Sequence, residues 1–335
     1  MKAIGGFLLT VVVVALVAVG AGFFFLPKVA SKTETVQIAK PAASVYALLA
    51  SAPAGEKIAE GATQTLKSAT PPDTVVFDVT YADGSTGLAT YKVTAKSDTA
   101  SEVALKLEKP LGSSPMDRLS GLTGAPVAPF ISGATKELSA DAAGLLDKPF
   151  TGLVYEVVTV EPGPYIYSPG ESTQDAAEIK KWVASALEVV DLNVKRGNVR
   201  TVGRPVAVEN AWTTDNKYQF NAGYRISGRA PTGSAGVLYG QMPAGPAIKV
   251  HYTGDESQVL PTYDKMEALV AAGRLKLGKS FEIYNDEPTV AGGSVDREIY
   301  YLVEGGDVNT LAKILPPAAS TPSTTAAATP ASTTP

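Results

Sequence analysis

Glu282 and Tyr284 stand two residues apart in the run Ser280-Phe281-Glu282-Ile283-Tyr284, which reads as a short strand. Gly278 precedes the run and the turn-forming pair Asn285-Asp286 follows it. Alternation puts Glu282 and Tyr284 on one face and Phe281 and Ile283 on the other. A carboxylate and a phenol on a solvated face carry no chemistry. On a face that meets a cavity, the same pair offers charge pairing or proton transfer. Glu298 is a weaker candidate, because Arg297 beside it makes an ordinary strand edge. His251 alternates with Val250 and Tyr252 and is expected to point outward. A Ser-His-Asp reading would need Asp255 and a serine converging on it, and the nucleophile-elbow pattern is absent from the sequence.

Composition narrows what this carboxylate can work with. The chain has 335 residues, enough for about two domains on the usual length prior. Hydrophobic residues make up 45% and charged residues 19%, which describes a folded protein rather than a disordered one. With no cysteine and a single histidine, zinc, iron–sulfur and thiol chemistry lack their ligands, so no metal or cofactor is expected. A net charge of -4 gives no electrostatic footprint for nucleic acid, and no DNA-binding partner is expected.

Residues 1–32 are expected to form a membrane anchor with its flanks. From Ile4 to Leu26 no charge interrupts the chain, and roughly 20 apolar residues suffice to cross a bilayer core. A cleaved signal would have a shorter apolar region, and cutting after Gly20 would leave Phe23-Phe24-Phe25 at the new N-terminus. Lys2 on one side and Lys28 with Lys32 on the other do not decide orientation by charge. Short N-terminal tails usually stay inside. The expectation is therefore a single-pass protein of the bacterial inner membrane, in contact with lipid through residues 4–26, with its soluble domains in the periplasm.

Residues 33–147 read as the first soluble domain. Thr33 to Ile38 forms a strand, and Pro41 starts a helix whose buried stripe is Val45, Leu48 and Leu49. Strands follow at Thr74–Val79 and Leu88–Val93 with a hairpin signal at Asp83-Gly84, and a third lies at Glu102–Leu107. Residues 109–130 carry four prolines and little pattern, and a helix over 134–146 closes the domain. The opening TVQIAKPAASVYALLAS, residues 35–51, resembles the polyketide cyclase/START-like (SRPBCC) helix-grip superfamily, in a degenerate copy lacking the tryptophans common in the next loop. That resemblance implies an antiparallel sheet gripping a helix, with an apolar ligand or a purely structural role.

Residues 150–304 are built twice. A helix capped by Ser172 or Thr173, with Ile179, Val183, Ala186 and Val190 inward, is matched by Val259, Tyr263, Met266 and Val270 in a second helix closed by Gly273. Strands flank each helix, and corresponding pieces lie about 75–80 residues apart, right for a duplicated half-domain. Trp182 and Trp212 are expected in the core. YDKMEALVAAGRLKLGKSFEIYNDEP (263–288), DREIYYLV (296–303) and the earlier VYEVVTVEPGPYIYSPGE (154–171) together are similar to the gyrase-inhibitor-like (GyrI-like) small-molecule-binding domain, also called the bacterial transcription activator effector-binding domain. A tryptophan common in the family's second helix is replaced here at Leu269 or Val270, implying a roomier or looser wall.

The overall expectation is an α+β chain: an N-terminal transmembrane helix, a helix-grip-like sheet domain, a duplicated sheet-plus-helix domain, and a disordered Pro/Ala/Ser/Thr tail over 316–335. The second resemblance implies that Glu282 lies at the bottom of an aromatic pocket between the halves and meets cationic, lipophilic ligands. Physics agrees, provided that no arginine clamps the carboxylate: an unpaired buried carboxylate is costly, and a cation over tyrosine faces gains both pairing and ring attraction. Tyr284, Tyr155, Tyr167, Tyr239 and Tyr300 are expected to join Glu282 as ligand-binding residues, with Tyr165 also available. The leading function is a membrane-anchored protein binding an amphipathic small molecule, cations included. The alternative is a hydrolase in which Glu282, alone or with Glu298 in reach of the same water, activates that water against an electrophilic small molecule. The residues alone do not decide whether the protein is an enzyme.

Overall fold

Strands form where apolar residues recur at every second position, and in the first half of the chain that alternation folds one antiparallel sheet. The computed structural model describes residues 26–173, 175–213, 215, 217–228, 236–286 and 294–314, and divides near Phe150 into two compact units. The chain is α+β, with one antiparallel sheet in each unit. Among the described residues no helix is long and apolar enough to cross a membrane. The expected span over 4–26 lies outside the described residues except for Leu26, and the expected tail over 316–335 lies outside them entirely.

The first unit runs β1 (Val29–Ile38), α1 (Ala42–Ala50), β2 (Glu56–Ala59), β3 (Ala62–Thr70), β4 (Thr74–Tyr81), β5 (Thr86–Ser97), β6 (Ala100–Pro110), α2 (Pro115–Gly121) and α3 (Ala128–Ala143). Its sheet order is β1-β6-β5-β4-β3-β2. Phe77 and Val79 on β4, Tyr91 on β5, and Leu105 and Leu107 on β6 are almost fully buried, together with Val45 and Leu49 of α1 and Ile131 of α3. Gly84 has φ +77 in the β4–β5 turn, as the Asp83-Gly84 signal requires. Residues 109–130 are more regular than their prolines suggest. Pro115 opens α2, whose Ser114 cap accepts a hydrogen bond from the Asp117 amide at 3.2 Å. Helix α3 likewise starts earlier than the expected 134, with a proline in its first turn.

The second unit runs β7 (Glu156–Val160), β8 (Pro164–Thr173), α4 (Ala176–Gly197), β9 (Thr201–Trp212), β10 (Lys217–Ile226), β11 (Leu238–Gln241), β12 (Gly245–Asp255), α5 (Val259–Ala272), β13 (Lys276–Tyr284), β14 (Ser294–Gly305) and the short α6 (Leu311–Ile314). Two strands, a helix and two strands thus occur twice. The sheet order β11-β8-β10-β9-β13-β14-β12-β7 reads the same from either end once the halves are interchanged. The two halves meet at the antiparallel pair β9–β13, where Glu282 lies opposite Ala207 and Phe281 opposite Val208. The outer strands are exchanged: β7 of the first half pairs with β12, and β11 of the second half pairs with β8.

Helix α4 buries Val183, Ala186, Leu187 and Val190 against Phe220, Ala222 and Ile166 of the first half. Its cap is Asp175, which accepts from the Glu178 amide at 3.0 Å. The expected caps Ser172 and Thr173 are instead the last residues of β8. The helix stops at Asn198, whose φ of 47 ends the spiral with a residue that tolerates left-handed backbone. Trp182 departs from expectation: it is 46% exposed on the outer face of α4 rather than in the core. The Trp212 side chain lies outside the described residues. Gly223 answers to a tight fit, because a Cβ there would sit 1.9 Å from the Ile166 carbonyl oxygen on the neighbouring strand.

Candidate functional site

The face carrying Glu282 and Tyr284 meets a cavity of about 290 Å³ within the second unit. Two helices wall it, and the spacing of their residues explains how. Leu260, Tyr263, Asp264 and Glu267 of α5 fall at i, i+3, i+4 and i+7, one helical face, while Ala176, Ile179 and Lys180 do the same on α4. The strands supply Glu209 from β9, Tyr218 from β10, Glu282 and Tyr284 from β13, and Arg297 and Tyr301 from β14. Glu256, just before α5, completes the charged wall. Both halves of the repeat therefore contribute.

A chain of ion pairs crosses this site. Lys180 lies 3.3 Å from Glu256, Arg297 donates to Glu256 at 2.7 Å and to Glu282 at 3.0 Å, and the Tyr263 hydroxyl donates to the other Glu282 oxygen at 3.0 Å. The Lys180 and Arg297 side chains are only 7% and 6% exposed, and those of Glu256 and Glu282 each 13%, so these pairs sit largely out of water. The Arg297 guanidinium also stacks over the Tyr284 ring at 4.7 Å. Here the structure corrects the expected counter-ion. Glu282 is walled off among tyrosines but is not unpaired, because cross-strand register sets Arg297 directly opposite Tyr284, beside it.

Even so, the cavity is acidic. Glu209, Asp264, Glu256, Glu267 and Glu282 line it against only Lys180 and Arg297, an excess of three formal negative charges. Ser280 donates to Glu209 and the Tyr301 hydroxyl to Glu267 at 2.9 Å, bonds that hold the carboxylates in place. Burial, and after it the Glu282 carboxylate, push the Tyr218, Tyr263 and Tyr284 hydroxyls well above the ordinary phenol value, so these rings stay neutral. Tyr263 and Tyr301 meet edge to face at 5.6 Å. Among the described residues, no three acidic or histidine side chains are placed to hold a metal ion.

Of the sequence-derived candidates, Glu282 and Tyr284 line this cavity and the other four tyrosines do not. Tyr155 is buried and pins α6, donating to the Leu311 carbonyl at 2.7 Å. Tyr239 packs beneath α4 with Ile166, Val190 and Ile226. Tyr167 stacks on Tyr165 at 4.5 Å, in a cluster with Val206 and Phe281 on the opposite side of the sheet. Tyr300 shares that opposite side and donates to Glu298 at 2.7 Å. Glu298 lies opposite Ile283 in the ladder, so it and Glu282 project from opposite faces and cannot share one water, which leaves the hydrolase alternative to Glu282 alone. Leu269 and Val270 are fully buried and form no part of the cavity wall, so the missing tryptophan opens no space there. His251 is half-exposed with its Nε2 3.4 Å from Asp296. The residues that spacing missed are Tyr218, Tyr301 and the α5 acids, whose signal is the i, i+3, i+4, i+7 face read toward polar instead of apolar positions.

No family model matches the chain, and no curated protein does. Among solved structures, a hydrolase from Listeria innocua is similar at 14% identity, over 46% of this chain and 94% of that one, with a TM-score of 0.33. The C-terminal domain of EcmrR is similar at 13% identity, over 46% of this chain and all of that one, with a TM-score of 0.37. The Zhui aromatase/cyclase from Streptomyces sp. R1128 is similar at 10% identity, over 34% of this chain and 94% of that one, with a TM-score of 0.22.

Proposed function

We propose that the second unit binds an amphipathic small molecule with a cationic head in the helix-walled cavity. One observation carries this reading: a cavity of about 290 Å³ lined by four tyrosines holds three more carboxylates than bases. Poorly hydrated surplus negative charge is costly, and a cation entering over neutral aromatic rings relieves it while gaining ring attraction. Glu282 acts in this reading as one member of an acidic wall, tied to Arg297, to which Glu209 and the α5 acids add further carboxylates. The uncharged run from Ile4 to Leu26 supports tethering such a binder to a membrane. The GyrI-like segments at 154–171, 263–288 and 296–303 support the same assignment of the second unit to small-molecule binding.

Calorimetric titration with decyltrimethylammonium, against the neutral alcohol of equal tail length, tests it. Binding of the cation is expected, and removing one carboxylate charge in Glu282→Gln should weaken it about tenfold, or about 1.4 kcal/mol. Equal affinity for cation and alcohol, or an unchanged affinity in Glu282→Gln, refutes the reading.

A further inference from the structure

We infer that the sheet face opposite the helices carries a second binding site, for an amphipathic anion of the carboxylate class. Strand alternation makes the two faces chemically opposite: β13 turns Glu282 to the helices and Phe281 and Ile283 to the other side. There a separate cavity of about 380 Å³ opens onto the central strands. Its floor is apolar, with Phe281 and Tyr300 stacked at 4.5 Å between centroids and Val206 and Ile283 beside them. Ile283 and Tyr300 are only partly covered, so an apolar guest would remove surface from water that the fold itself leaves wet.

Glu161 is the acidic residue of the rim, and the basic ones divide in two. Lys249 is already held by Glu298 at 3.1 Å, and that carboxylate also accepts from Tyr300, a closed network. Arg204 and Arg225 border the same cavity, and among the described residues neither makes an ion pair with a carboxylate. Arg225 reaches only as far as the Glu161 backbone carbonyl, at 3.5 Å. The chain makes room for this guanidinium: a Cβ on Gly163 would sit 2.8 Å from its Nη2. Two arginine forks beside an aromatic floor match a planar carboxylate on a hydrocarbon body, since a guanidinium grips a carboxylate through two parallel hydrogen bonds. The site does not depend on the cation reading, which concerns the other face.

Paired probes of equal tail length and opposite head charge separate the two. Decanoate should bind the full chain, and the Arg204→Gln/Arg225→Gln double variant should weaken it at least about tenfold, the loss expected for a charge-assisted fork. Arg225→Lys, which keeps the charge and loses the fork, should recover part of that loss. The proposal is overturned if decanoate does not bind, or if the double variant binds it as the parent does. It is overturned equally if the arginines matter only for flotation with phosphatidylglycerol vesicles, which would make them a bilayer contact. A lost decyltrimethylammonium response with intact decanoate binding would sink the cation reading alone.

Discussion

Removing Arg297 tests the electrostatics of the cavity most directly. Its guanidinium is 6% exposed and holds two carboxylates, Glu256 at 2.7 Å and Glu282 at 3.0 Å. Arg297→Met deletes the cation and leaves both acids facing each other with little solvent, a change that costs about 3–5 kcal/mol for buried pairs. Glu282→Gln is milder, because Arg297 keeps Glu256 and the amide still accepts from Tyr263; a loss of about 1–2 kcal/mol is expected. Combining the two removes one of the stranded charges, so the double variant should be more stable than the sum of the singles by at least about 1 kcal/mol. Both tryptophans, Trp182 and Trp212, belong to the second unit, so urea unfolding followed by tryptophan fluorescence reports on that unit selectively. With a urea slope of about 1–3 kcal/mol per molar, a loss of ~3 kcal/mol moves the midpoint by at least about 1 M. An Arg297→Met midpoint within experimental error of the parent, or strict additivity in the cycle, refutes the ion-pair account.

Three further outcomes follow from the same geometry. Glu267→Gln keeps an acceptor for Tyr301 while lowering the wall's charge, so it should weaken decyltrimethylammonium binding about tenfold with an unchanged urea midpoint, checked by calorimetry. Tyr218, Tyr263 and Tyr284 have raised folded-state values, so their contribution to stability is complete below the unfolded phenol value of about 10 and is lost as pH climbs from there toward the folded values. The second unit should accordingly unfold at alkaline pH, with tyrosinate absorbance rising together with the loss of circular dichroism; ionisation of these rings near pH 10 with the fold intact would contradict it. Asp175→Ala removes the α4 cap and should cost about 1 kcal/mol by urea denaturation.

How much of this was legible beforehand differs from residue to residue. Period-two alternation suffices to put Glu282 and Tyr284 on one face and Phe281 on the other, and duplication suffices to expect a groove where the halves meet. Tyrosine carries no such directional information. Tyr300 and Tyr301 are adjacent, equally aromatic and equally strand-like, yet one lines the acidic cavity and the other the opposite face. Alternation sends them to opposite faces, but only ladder register says which one meets the helices, and register depends on partners many residues away. Arg297 shows the same limit, because its side chain meets Glu282, fifteen positions earlier, instead of its neighbour Glu298. On α5, Tyr263 belongs to two spacings at once, the apolar stripe with Met266 and Val270 and the polar stripe with Leu260 and Glu267; a helical period cannot say which stripe is the wall. The α4 cap fell two or three residues late because β8 continues through Thr173, a pairing with Lys217 that no local signal announces.

The exchanged outer strands have a consequence for how this unit can be taken apart. Since β7 completes the sheet of the second half and β11 that of the first, neither half owns a finished sheet, and a gene encoding one of them would yield a chain with an orphaned border. Such a fragment would recover every lost pairing by trading that strand with a twin. The architecture is thus two like half-units locked together by exchanged strands within one polypeptide, the helix of one bringing a lysine to the cavity and the helix of the other bringing the acids.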